Sequence, residues 1–139
     1  MLGANRFWGA LRVVGLVLPL LSVCPTPGLA ANAIDTLAAQ MNQAAANARN
    51  EEGLAIAQKL EGLVRRQQGT DNMNYAGVLH NEGMFLHNLG RFKEAADKES
   101  AALAIKLRNN DAASIMRSSN ILVSALMMLQ RRSEALAVG

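Results

Sequence analysis

The sequence predicts an all-α fold in which helical hairpins stack into a solenoid behind an N-terminal export signal. Three observations carry this expectation. The three prolines, Pro19, Pro25 and Pro27, all precede residue 30, so no proline interrupts a helix beyond that point. Apolar residues then recur at helical spacing, with no alternating strand pattern of useful length. Finally, 50% of residues are hydrophobic but only 4% aromatic; alanine, leucine and methionine supply the apolar surface, which suits close helix packing better than a β-sandwich. A length of 139 residues allows one domain at most.

Residues 1–30 read as a signal peptide. Arg6 and Arg12 give a positive start, residues 13–23 (VVGLVLPLLSV) form an uncharged apolar run, and PTPG at 25–28 is expected to break the helix. Cleavage after Ala30 would place Gly28 and Ala30 in the shallow pockets of a signal peptidase, and Ala31-Asn32-Ala33 offers a second register. A spanning helix needs about 20 apolar residues, and Arg12 cuts this run shorter, so no stable membrane span is expected once the signal is removed. LSVC at 21–24 resembles a lipoprotein acylation site, but branched Val23 stands where a small residue belongs, so lipid anchoring at Cys24 is not expected. The expected location is periplasmic or secreted.

Without residues 1–30 the chain keeps 12 Lys+Arg against 11 Asp+Glu, a net charge of +1. The pI near 9.5 belongs to the precursor and gives no reason to expect nucleic-acid binding. The single cysteine, Cys24, leaves with the signal, so residues 31–139 form no disulfide and must hold together by packing.

The first helix is expected over 33–48, where Leu37, Met41 and Ala45 make one stripe. A second follows over 51–67 with Leu54, Ile56, Leu60, Leu63 and Val64; Arg65 and Arg66 suit its C-terminal dipole and Gly69 a left-handed cap. Thr70 or Asp71 can start the third, over 74–88, which Gly90 ends. The fourth runs over 92–107, and Asn109-Asn110-Asp111 then supplies a new cap. A fifth over 112–129 carries Ile115, Ile121, Leu122, Leu126 and Leu129, and a sixth is expected to begin in QRRSEALAVG.

The hairpins repeat. Residues 90–95 (GRFKEA) align with 130–135 (QRRSEA) at an offset of 40, and the same step back from Ala95 and Leu103 reaches Ala55 and Leu63. Helix pairs at a fixed period are the mark of a helical solenoid.

Residues 75–107 resemble a tetratricopeptide repeat. Leu79, Asn81, Gly83 and Leu86 fall at the family's spacing in the first helix, and Gly90 is the turn glycine. Phe92, Glu94-Ala95 and Ala102-Leu103 follow in the second. Gly83 and Ala95 are small where two helices cross closely, and Phe92 fills the wedge at the turn. Glu82 replaces a leucine, Leu107 replaces the terminal proline, and Asn50 stands for the turn glycine in the weaker repeat 33–68. A third repeat, 112–139, stops within its second helix. The 40-residue step exceeds the family's usual period of about 34 and is similar to the long-period repeats of kinesin light chains.

The resemblance implies a non-enzymatic scaffold that holds a protein or peptide in a concave groove. The family's register assigns Gly77, His80, Met84 and His87 to that groove, with Arg117 and Asn120 from the next repeat. No catalytic constellation is present: there is no HExxH motif, no phosphate-binding glycine loop and no cysteine nucleophile, and the acidic residues read as solvated faces. No cofactor is expected. His80, Met84 and His87 share a helix face and form a soft ligand set, a remote alternative as a periplasmic metal site, though they stretch over two turns. The resemblance also allows a regulatory or oligomerisation segment of a larger, peptidase-containing protein. Residues 120–129 (NILVSALMML) are too apolar to stand bare, so self-association through 115–139, or docking of a partner's helix there, is expected.

Overall fold

The structure, a computed structural model, describes the backbone of residues 27–137 and the side chains of residues 32–130. Among these residues there are five helices and no strand: α1 (Pro27–Ala46), α2 (Asn50–Gln68), α3 (Met73–Asn88), α4 (Phe92–Arg108) and α5 (Ala112–Ala137). The chain is all-α. Each helix packs on the next along the chain, and α3 also touches α5. Residues 1–26 of the expected signal peptide lie outside the described residues.

Two helix boundaries differ from expectation. Helix α1 begins at Pro27, inside the PTPG stretch expected to break a helix. Proline is tolerated in a first turn because its missing N–H would have no partner there in any case. At the other end, α5 runs without interruption through Ala137, so the expected break at 130 and the sixth helix do not form. Gln130, Arg131 and Arg132 stand where the earlier hairpin has a left-handed glycine, and all three are good helix formers with no capping side chain.

One turn is used three times. Its middle residue is left-handed: Ala48 (φ 53°) after α1, Gly90 (φ 74°) after α3 and Asn110 (φ 55°) after α4. In each case the next amide reaches back five residues, from Arg49 to the Ala44 carbonyl (2.9 Å), Arg91 to Leu86 (2.9 Å) and Asp111 to Lys106 (3.4 Å). These bonds satisfy carbonyls that a helix end leaves orphaned. The turns put the first two hairpins in register at an offset of 42, not 40, pairing Ala48 with Gly90, Arg49 with Arg91 and Gly53 with Ala95. Accordingly Ala55 is exposed, while Gly53 takes the buried place that Ala95 holds in the second hairpin.

The core follows from this register. Met41, Leu54, Leu60, Val64, Leu79, Phe85, Leu86 and Ile105 are buried, with Ala57, Ala95 and Ala102 fully so. A Cβ on Gly53 would run into the Phe85 ring, and one on Gly83 would sit 2.7 Å from Glu99 Oε1, so helix α3 lies close to both flanking helices. Phe92 is half-buried, its ring edge-on to His87 with centroids 5.3 Å apart, and Leu103 is half-buried.

Helix α5 is atypical in what it exposes. Ser114, Ser118 and Ala125 are buried, whereas Met116, Val123, Leu126, Met127 and Met128 are exposed. By length and composition alone, Ala112–Gln130 meets the requirement for a membrane span, with mean hydropathy 1.4.

Candidate functional site

Helices α1 and α3 flank a cleft of about 410 Å³ whose floor is α2. Buried Met41, Leu60, Val64 and Val78 make its base, and Asp35, Asn42, Gln68, Asn74 and Asn81 make its rim. Gly77 lies on the wall; a Cβ built there meets no atom within 4 Å, so the missing side chain leaves real space. Asn74 Nδ2 donates to Gln68 Oε1 (2.8 Å) and Asn81 Nδ2 to the Gly77 carbonyl (2.9 Å), which hold the rim amides in place. An apolar floor with a rim of amides, each both donor and acceptor, suits an extended or helical peptide.

The expected groove residues divide between two environments. Gly77 lines the cleft, whereas His80 and His87 turn toward α4 and α5. His80 Nδ1 lies 3.0 and 3.1 Å from the two carboxylate oxygens of Glu99, and 3.3 Å from Ser118 Oγ. His87 Nε2 lies 2.8 Å from Ser124 Oγ. Met84 is half-buried and packs against the core. Arg117 and Asn120 are exposed on α5, with Arg117 Nη2 donating to Ser114 Oγ at 2.9 Å. Among the described residues no group of three His, Cys, Asp or Glu side chains is placed to hold a metal ion.

Two acidic side chains expected on solvated faces are buried instead. Glu82 and Glu99 expose no surface. Glu82 Oε2 sits 2.5 Å from Lys98 Nζ, an ion pair by distance, but neither of its oxygens has an aligned hydrogen-bond donor. Lys98 also donates to Glu61 Oε2 (2.9 Å), and Tyr75 Oη donates to Glu61 Oε1 (2.8 Å). Burial pushes the Glu82 carboxyl up from its ordinary range to about 7, against the pull of Lys98 and with help from neighbouring Glu61. Glu61 is held below its ordinary value, because the hydrogen bonds from Lys98 and Tyr75 outweigh a burial effect that is individually larger.

On the other side of α4, Lys106 is 3% exposed and its Nζ donates to Ser118 Oγ at 2.7 Å. Burial lowers the Lys106 pKa, with the nearby Glu99 charge opposing. His, Glu and Ser here do not form a nucleophile relay, since Glu99 and Ser118 both meet the same ring nitrogen of His80. A relay needs them on opposite nitrogens. Ser118 moreover exposes no surface.

The positions of these acids were a readable signal. Glu82 falls between Leu79 and Leu86 on the apolar stripe of α3, and Glu99 between Ala95 and Ala102 on that of α4. The cleft's amides were a fainter one: Asn74, Gly77 and Asn81 share a face of α3, but Asp35 and Asn42 join them only through the packing of α1. The chain matches no protein-family model, no curated protein and no solved structure.

Proposed function

We propose that the chain is an exported, non-enzymatic scaffold of tetratricopeptide-type hairpins that holds a peptide segment of another protein between α1 and α3. The observation that carries this reading is the cleft: an apolar floor, a rim of positioned amides and, at Gly77, an open place where a side chain would otherwise stand. Sequential packing of helices, with one turn used at three of the four connections, supports the solenoid, and the residues 1–30 pattern supports export.

The test is a peptide-array screen with the secreted chain, repeated with Gly77→Leu and Gly77→Ala. Leucine should fill the cleft and weaken captured peptides at least tenfold, while alanine should leave most of the binding intact. If no captured peptide responds to Gly77→Leu, the cleft is not the binding site.

A further inference from the structure

Helix α3 carries a second cavity on a different face, about 430 Å³ in volume, between α2 and α4. Tyr75, Leu79, Glu82 and Leu86 recur at i, i+4, i+7 and i+11, so they form one stripe of α3. Tyr75, Leu79 and Leu86 of that stripe line the cavity together with Ile105 of α4, and all four are buried. Glu61 joins them from α2, and Asp97, Lys98 and Ala101 from α4. An apolar floor with a few convergent polar groups, in a cavity of this size, suits a small ligand or one inserted side chain.

The charges beside this floor do not balance. Lys98 Nζ meets Glu61 Oε2 at 2.9 Å and Glu82 Oε2 at 2.5 Å, so two carboxylates share one ammonium. Glu82 is wholly buried, and among the described residues neither of its oxygens has an aligned hydrogen-bond donor. The nearby cations do not make up the difference. Arg65 of α2 is exposed and acts on Tyr75, while Arg91 and Lys93 are bound at the surface to Glu94 and Asp97. With both acids ionised, the Glu61–Lys98–Glu82 set is short of one positive charge, and an uncompensated buried charge is costly. Burial, with the Glu61 charge adding to it, raises the Glu82 carboxyl to about 7, so below that pH a proton supplies the charge. Above it, a cation in the cavity does the same.

We propose that this cavity binds a primary alkylammonium group, with its chain on Leu79, Leu86 and Ile105 and its charge beside Glu61, completing the Glu61–Lys98–Glu82 set. Lys98 sets the precedent, since its own alkylammonium meets both carboxylates. A free amine and the lysine of a partner protein offer the same chemistry. The site is separate from the cleft between α1 and α3 and does not depend on what that cleft holds.

Calorimetric titration of the full exported chain tests this with n-pentylamine, n-pentanol, pentanoate and the peptide acetyl-Gly-Lys-Gly-amide. Pentylamine or the peptide should bind at least tenfold tighter than the alcohol and the carboxylate. The tighter of the two assigns the source, a free amine or a partner's lysine. Ligand and proton compete for one place, so binding should be at least tenfold tighter at pH 8 than at pH 5, with a proton released on binding at pH 7. Glu82→Gln should weaken binding at pH 8 at least tenfold and abolish the pH dependence. Ala101→Leu, at an exposed position of α4 that lines the cavity, should fill it and weaken binding by a similar factor. Asp97→Asn at the rim should change it less than threefold. Circular dichroism melts would confirm that the variants remain folded. Equal binding of pentanol, no binding of either amine, or a pH dependence that survives Glu82→Gln overturns the proposal. So does a loss confined to Asp97→Asn, which would reduce the effect to attraction by a surface acid.

Discussion

Lys98 Nζ lies 2.5 Å from Glu82 Oε2, and Glu82 exposes no surface at all. A carboxylate on the apolar stripe between Leu79 and Leu86 is thus sustained by one lysine reaching across from α4. Removing one partner of such a pair leaves a buried charge without compensation, at a cost of about 3–5 kcal/mol. Lys98→Met should therefore destabilise the fold by that order at pH 8. At pH 5, below the Glu82 value of about 7, the carboxyl is protonated and the loss should be much smaller. Replacing both partners, Glu82→Leu with Lys98→Met, should be neutral or stabilising by about 1–4 kcal/mol. Urea melts at the two pH values read both effects.

The same pair sets a pH dependence in the unaltered chain. A carboxyl raised in the folded state contributes stability that is full below its ordinary value of 4.5 and is lost as pH rises to about 7. Glu61, lowered in the folded state, works in the opposite sense and loses its contribution as pH falls through its depressed value. Glu82→Gln should flatten the decline between pH 4.5 and 7 and leave the acid limb due to Glu61. An unchanged profile in that variant would assign the titration elsewhere.

The repeated turn makes a paired prediction. Ala48 and Gly90 hold the same left-handed place, and for a residue with a Cβ that conformation costs roughly 1–2 kcal/mol. Ala48→Gly should stabilise by about 0.5–1 kcal/mol after glycine's extra unfolded-state entropy is subtracted. Gly90→Ala should destabilise by about 1 kcal/mol. Thermal melts giving both substitutions the same sign would separate the two turns.

Packing distinguishes neighbouring residues on α4. Ala95 is fully buried, and Ala95→Leu should overpack the contact at a cost of about 1–3 kcal/mol. Lys93 pairs with Asp97 at 3.1 Å on the surface, and Lys93→Ala should change stability by no more than about 0.5 kcal/mol. A comparable loss in both would place Ala95 outside the core.

Export has a direct readout. Expressed in a bacterium with a secretion system, the protein should appear in the periplasm with its N-terminus at Ala31 or close to it. N-terminal sequencing that finds Met1 on soluble cytoplasmic protein would remove the signal-peptide reading, and acylated Cys24 would replace it with a lipoprotein.

Helix periodicity, the turn at Gly90 and the small residues at Gly83 and Ala95 were legible because each is a local demand: a stripe, a left-handed residue, a close crossing. The repeat register was not, because a step of 40 matched letters whereas the step of 42 is set by backbone hydrogen bonds around Ala48, which no glycine marks. Gly53 shows the consequence: its lack of a side chain has meaning only once Phe85 from another hairpin fills that space.

By itself, then, the sequence determined an all-α chain, the places where most helices turn and the apolar character of α5, since these follow from spacing and composition within a few turns of helix. Only the tertiary structure decided which polar residues lie inside. Lys106 and Ser118 look like surface residues in the sequence, Glu82 and Glu99 differ from surface acids only in falling on apolar stripes, and the burial of all four depends on partners supplied by other helices. Likewise the cleft at Gly77 and the outward apolar row of α5 depend on how α1, α3 and α5 are set side by side, because a side chain's exposure is a property of its neighbours in space.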